Sequence, residues 1–239
     1  ERTTRNYTRA KDAEPHYYLG VVLKELGRLK EAENELWKAV WRDSFQRAAY
    51  IELAKIACLR REYASALERV QNAFDVAARS GKAHTLKAYI LRKLGQNKEA
   101  EAALDKALEL DPLDVWSLAE RGFLSGETNS VLAAMGRNRG DKLQQMLEVV
   151  TDYGNIGAAD EVLAILTQAE AAGAAYASPL VKYYAGYCNL RTGKTEMARA
   201  LFGQAAAMST DYCFPFRHEE RLVLAAAAEL RPSDANTWY

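Results

Sequence analysis

The small and large apolar positions of this chain fall into columns. Three segments align on them: YYLGVVLKELGRLKEAENELWKAV (17–40), YIELAKIACLRREYASALERVQNAF (50–74) and TLKAYILRKLGQNKEAEAALDKALELDP (85–112). Small residues recur at Gly20, Ala54 and Ala88, again at Ala32, Ala66 and Ala100, and again at Ala39, Ala73 and Ala107, always 34 residues apart. The large residues Leu36, Val70 and Leu104 keep the same step. A fixed period in this range marks a stacked array, because no single unit can bury its own apolar face. Each unit reads as two antiparallel helices, A and B. The small residue at the eighth position of helix A and the alanine on helix B let the two helices approach closely, and the large residue fills the space between units. Gly27 and Gly95 supply the A–B turn, where a positive φ is cheap only for glycine. Pro112, in ELDP, stops a helix B.

Beyond residue 114 the columns loosen. Gly122 keeps the step, but 123–140 is rich in glycine, and a short helix B is expected there at about 127–137. Pairs resume over 141–166, with Gly154 aligned to Gly27 and Ala159 to Ala32, and over 180–206, with Gly186, Gly193, Ala198 and Ala205 in the four columns. The 39 residues from Gly154 to Gly193 imply an insertion of five, placed in GAAYASP (173–179). At the far end, RPSDANTWY (231–239) copies the start of the first unit: Asp234-Ala235 matches Asp12-Ala13, and Trp238-Tyr239 matches His16-Tyr17. A further helix A is expected to begin there, and the chain, which starts with Glu1, is expected to be a piece of a longer array. The predicted organisation is one solenoid over 1–239: three regular repeats at 13–114, an irregular unit at 115–139, and divergent repeats at 140–239, the last truncated.

The period, the small–small–alanine columns and the closing proline resemble the tetratricopeptide repeat. That resemblance implies an all-α fold, an α-solenoid in which antiparallel helix pairs wind into a right-handed superhelix. It also implies a module that binds a protein or peptide partner in its concave groove. Residues 141–239 are in addition similar to the repeat region of large bacterial proteins in which the repeats follow a β-rich, sugar-enzyme-like domain of unassigned function; the segments carrying this are the helical pair, YYAGY, FPFRHEERLVLAAA and the DA-x-x-x-Y start. By that likeness the segment would be an accessory helical region of a larger carbohydrate-related enzyme whose catalytic domain lies outside this chain. Pro215 in FPFR is expected to open a helix running to Leu230, with Phe214 and Phe216 packed on neighbours.

Composition narrows the function classes. Of 239 residues, 27% are charged, with 32 basic and 32 acidic side chains, so no net charge draws nucleic acid or an anionic membrane. No apolar run reaches the ~20 residues of a membrane helix. Three cysteines, Cys58, Cys188 and Cys213, lack metal spacing and read as buried thiols of a reducing compartment, so the chain is placed in the cytoplasm.

No catalytic signature emerges, and no enzyme activity, cofactor or metal is expected of this segment. Gly193-Lys194-Thr195 imitates the end of a phosphate-binding loop, but the first loop glycine would fall at Cys188, and the preceding VKYYAGYCNLR reads as helix rather than strand. GKTEMARALF instead superposes on GRLKEAENEL and GQNKEAEAAL, which makes Gly193 an A–B turn glycine and Thr195 a candidate helix cap. His16 and His84 share one repeat position and are read as packing residues, and His218-Glu219-Glu220 lacks the H-E-x-x-H frame. Asp160 and Glu161 adjoin and so point to different helix faces. LRREY and EERL read as solvated faces.

What remains is the groove. Positions 5, 9 and 12 of helix A place Tyr17, Val21 and Lys24 there from the first unit; Ile51, Lys55 and Cys58 from the second; Thr85, Tyr89 and Arg92 from the third; Phe123 from the fourth; and Tyr183, Tyr187 and Leu190 from the last complete one. Aromatics with scattered cations suit a partner protein or peptide. The competing role for these tyrosines is packing between helices. The carboxylate clamp of co-chaperone repeats needs Lys, Asn, Asn and Arg where this chain has Tyr17, Val21, Glu52 and Leu86, and a further Lys that only Lys82 supplies. The partner is either a separate protein or another domain of the same polypeptide; self-association through Trp238 and Tyr239 is a further reading.

Overall fold

In the computed structural model, residues 12–41, 43–76, 80–126, 131–132, 141–211, 213–234 and 237 are described, and all regular structure among them is helical. The chain divides into two compact units, Glu1–Gly126 and Glu127–Tyr239.

The first unit carries α1 (Glu14–Glu25), α2 (Leu29–Ala39), α3 (Asp43–Leu59), α4 (Tyr63–Val76), α5 (Gly81–Lys93), α6 (Asn97–Leu110) and α7 (Val115–Leu124). The pairs are α1 with α2, α3 with α4 and α5 with α6, and each second helix also packs on the next first one. The connections inside a pair are too short for anything but antiparallel neighbours. They share one hydrogen bond that reaches back five residues: Arg28 N–H to the Leu23 carbonyl, Glu62 to Ala57 and Gln96 to Leu91, each at 2.9 Å. That closure requires a left-handed residue just before the donor. Gly27 (φ 73°), Arg61 (φ 60°) and Gly95 (φ 75°) take it, so the register imposes this conformation on an arginine at the turn that lacks glycine.

The apolar columns pack as their sizes dictate. Leu36, Val70 and Leu104 are fully buried, as are Ala54 and Ala88 across the pair. At Gly20 a Cβ would lie 2.6 Å from Leu36 Cγ, so only glycine fits. The fourth helix A begins in register, since Ser80 and Asp114, both side-chain caps, lie 34 residues apart. It ends early: Gly126 (φ 76°) closes α7 about one turn before the regular position. Most of the helix B expected at 127–137 lies outside the described residues; Val131 and Leu132 are described, helical and buried.

The second unit carries α8 (Lys142–Gly154), α9 (Ala159–Ala172), a 3-10 turn (Ala174–Tyr176), α10 (Pro179–Arg191), α11 (Thr195–Ala206) and α12 (His218–Leu230). Here the expected register shifts by three. Gly154 is helical; Gly157 (φ 73°) makes the turn, and Ala158 N–H bonds the Tyr153 carbonyl at 3.0 Å, as Lys194 N–H does the Asn189 carbonyl at 2.9 Å. Val162 thus holds the Ala32 place, and Gly157 to Gly193 spans 36 residues, an insertion of two rather than five. Gly186 packs against the Phe202 ring so closely that a Cβ would overlap it.

Three expectations about FPFR and EERL are corrected. Phe214 and Phe216 are 75% and 71% exposed rather than packed, and the helix starts after Arg217, not at Pro215. Glu220 is fully buried rather than solvated. Its carboxylate accepts the Phe216 and Arg217 N–H groups at 2.7 and 2.8 Å and the Arg217 guanidinium at 2.9 Å, which closes the start of α12.

Candidate interaction surface

In the first unit the A-helix position 12 meets position 6 of the next helix A in a recurring ion pair, and at Glu52 position 9 of that same next helix joins it. Lys24 donates to Glu52 at 2.5 Å and, on the same carboxylate, Lys55 donates at 2.7 Å. Two repeats on, Arg92 grips Glu120 through Nε at 2.6 Å and a terminal nitrogen at 3.0 Å. Lys24 and Arg92, and Glu52 and Glu120, are each 68 residues apart. In the unit between, the same two places hold Cys58 and Leu86, both buried. Burial opposes the charge on Glu52, yet Lys55 and Lys24 outweigh it and hold the carboxyl below its usual range. Burial likewise opposes the Lys24 ammonium, and Glu52 with Glu25 raises its pKa in spite of it. Glu52 stands where the co-chaperone clamp needs an amide, and it is already bound to two lysines.

The expected groove residues divide by exposure. Tyr17, Val21, Lys55, Arg92, Phe123 and Tyr187 are half-buried, whereas Lys24, Tyr89 and Tyr183 are buried. Tyr17 meets Tyr18 edge-on at 5.4 Å and packs tilted against Phe45 at 5.2 Å. The Arg92 guanidinium lies 5.4 Å from the Phe123 ring and 5.5 Å from that of Tyr89, so the group that pairs with Glu120 also sits against both aromatics. Tyr89 packs edge-on to Tyr63 at 6.2 Å and is 1% exposed. Thr85 is buried in a hydroxyl pair with Ser117 at 2.6 Å.

In the second unit, the Tyr183 hydroxyl donates to Asp234 at 3.0 Å, and burial followed by that carboxylate raises the phenol's pKa. Thr85 bonds Asp114 in the same way at 3.3 Å. Asp234 and Asp114 each follow a helix end, an extended or near-extended residue and a proline. The polar contact is therefore a repeat feature, and position 5 here serves the joint between helices. A hydroxyl at that position with Asp two residues after Pro was the sequence signal for it. Ala235, Asn236, Trp238 and Tyr239 lie outside the described residues, and so does the apolar patch expected of the last two.

The residues of GKT take repeat-turn roles. Gly193 adopts φ 82°, Lys194 and Thr195 are exposed, and Cys188 sits in α10. Thr195 opens α11 without capping it. His16 Nδ1 is 2.6 Å from Glu35, and His84 packs at 4.3 Å on Phe74. Among the described residues no cluster of three metal-type side chains forms, and no helix is long and apolar enough to cross a membrane.

The model of the tetratricopeptide repeat family matches residues 81–112, which are α5, α6 and the turn joining them. No curated protein matches the chain. Among solved structures, a tetratricopeptide repeat protein from Parabacteroides merdae is similar over 91% of this chain and 83% of its own, at 15% identity and a TM-score of 0.52. PilW, a type IV pilus biogenesis factor, is similar over 89% and 98%, at 16% identity and 0.51. Pseudomonas aeruginosa pilF is similar over 90% and 97%, at 15% identity and 0.50. The chain carries a tetratricopeptide repeat, and its fold is the all-α helical repeat of tetratricopeptide-repeat proteins.

Proposed function

We propose that this chain is a non-catalytic interaction module whose A-helix face holds a segment of a partner protein, whether a separate chain or another domain of the same polypeptide. One observation carries the reading: in the first unit the charges at positions 9 and 12 are neutralised by Glu52 and Glu120, while Tyr17, Val21 and Phe123 stay partly open beside them. Internally paired cations on an aromatic strip favour a partner that offers apolar or aromatic side chains over one that offers a carboxylate. Tyr187 gives the second unit a similar partly open aromatic. Lys24, Tyr89 and Tyr183 support this face from beneath rather than touch the partner.

The test is quantitative affinity capture with the wild type and with Val21→Arg plus Phe123→Ala, each checked for its unfolding midpoint. The reading predicts at least one partner depleted about tenfold by the variant, equivalent to about 1.4 kcal/mol. An identical captured set from a folded variant would refute it.

A further inference from the structure

On the side of α5 away from positions 5, 9 and 12 runs a second surface feature, independent of the reading above. It is an open cleft of about 660 Å³ between α4 and α6, floored by α5. The floor is apolar: Leu67, Leu91 and Ala103 line it. The charges are sorted along it. Lys87 on α5 bonds Gln71 of α4 at 3.1 Å, and its ammonium is 5.5 Å from the Phe74 ring, so its partners are a neutral amide and an aromatic face. Lys106 of α6 lines the cleft together with Lys87, and burial and then the charge of Lys106 lower the Lys87 pKa. Two cations therefore share one end, and among the described residues no carboxylate bonds Lys87. At the other end stands Glu99, seven residues before Lys106 on α6, or about 10 Å along the axis. Glu68, three residues before Gln71 on α4, lies on the same side of Lys87 as Glu99, because α4 and α6 both run antiparallel to α5.

We infer that the α4–α6 cleft is a docking site for an amphipathic helix of a partner protein that carries an acidic and a basic residue about two turns apart, flanking an apolar stripe. The helix lies along the cleft with its carboxylate against Lys87 and Lys106, its cation toward Glu99 and Glu68, and its apolar face on Leu67, Leu91 and Ala103. Charge complementarity sets both the spacing and the direction.

The test selects helical peptides from a randomised display library on the full chain and measures the winners by fluorescence anisotropy. The selected peptides should carry Asp or Glu and Lys or Arg about seven places apart. They should lose about tenfold in affinity on Lys87→Glu plus Lys106→Glu, recover on that variant when their acid is changed to lysine, and be unaffected by Val21→Arg plus Phe123→Ala. Peptides that lose binding on the Val21 and Phe123 variant but not on the lysine variant overturn this inference and favour the A-helix face instead. Selection of no peptide, or of peptides indifferent to both variants, overturns it as well.

Discussion

Gly20 and Gly186 show how single side chains set this fold. Each lacks a Cβ because Leu36 or Phe202 occupies the space where one would be. Gly20→Ala and Gly186→Ala are each expected to destabilise by roughly 1–3 kcal/mol through overpacking, measured as a shift in denaturant midpoint at constant slope. The cysteines give a second residue-level prediction. Burial pushes the Cys58 thiol up to about 12 and the Cys188 thiol to about 11, whereas Cys213 is half-exposed. Iodoacetamide at pH 8, read by mass spectrometry of the native protein, should therefore label Cys213 well before the other two. The small and large columns were legible in the sequence because residue volume is written directly in it. The turn at Gly157 was not: two glycines lie three residues apart, and only the backbone hydrogen bond from Ala158 chooses between them. Arg61 hid the second turn for a similar reason, since nothing in an arginine announces a left-handed conformation.

Between elements, the first unit alternates two ways of joining one helix A to the next. Lys24–Glu52 and Arg92–Glu120 are ion pairs, and Cys58 with Leu86 is the apolar version of the same contact. Removing one member of a buried pair strands the other, whereas replacing both does not. Glu52→Leu should thus cost about 3–5 kcal/mol, and Lys24→Cys with Glu52→Leu, copying the middle unit, should recover most of it by chemical denaturation. The pH dependence follows from the sign of the shift. The folded Glu52 carboxyl titrates below its ordinary 4.5, so its contribution is complete above that pH and fades as pH falls through the lower folded value. Glu33, opposed by burial but held by Arg60 and Arg69, behaves alike. Glu52→Leu should flatten the acid limb of the Tm–pH curve. Glu52 and Glu120 recur only at a spacing of two repeats, so the single-repeat columns do not reveal them. The buried Glu220 was hidden because EERL looks solvated until the capping geometry of Arg217 is known.

At the level of the whole molecule, the helical-repeat class was legible from the period alone, while the division of groove residues into open and buried was not. Tyr89 and Tyr17 occupy neighbouring columns and the same residue type, yet one is enclosed by Tyr63, Arg92 and Lys93 and the other lies half-open beside Phe45. That difference depends on what the adjoining helices bring, which no single helix encodes. The proposal for function rests on the half-open set, and a footprint of the bound partner tests it most directly. Hydrogen–deuterium exchange of the full chain with its captured partner should slow in the A helices Glu14–Glu25, Asp43–Leu59, Gly81–Lys93 and Val115–Leu124. Protection confined to Tyr63–Val76 and Asn97–Leu110, with the A helices exchanging as in the free chain, would contradict the A-helix face as the site of binding and move it to the cleft.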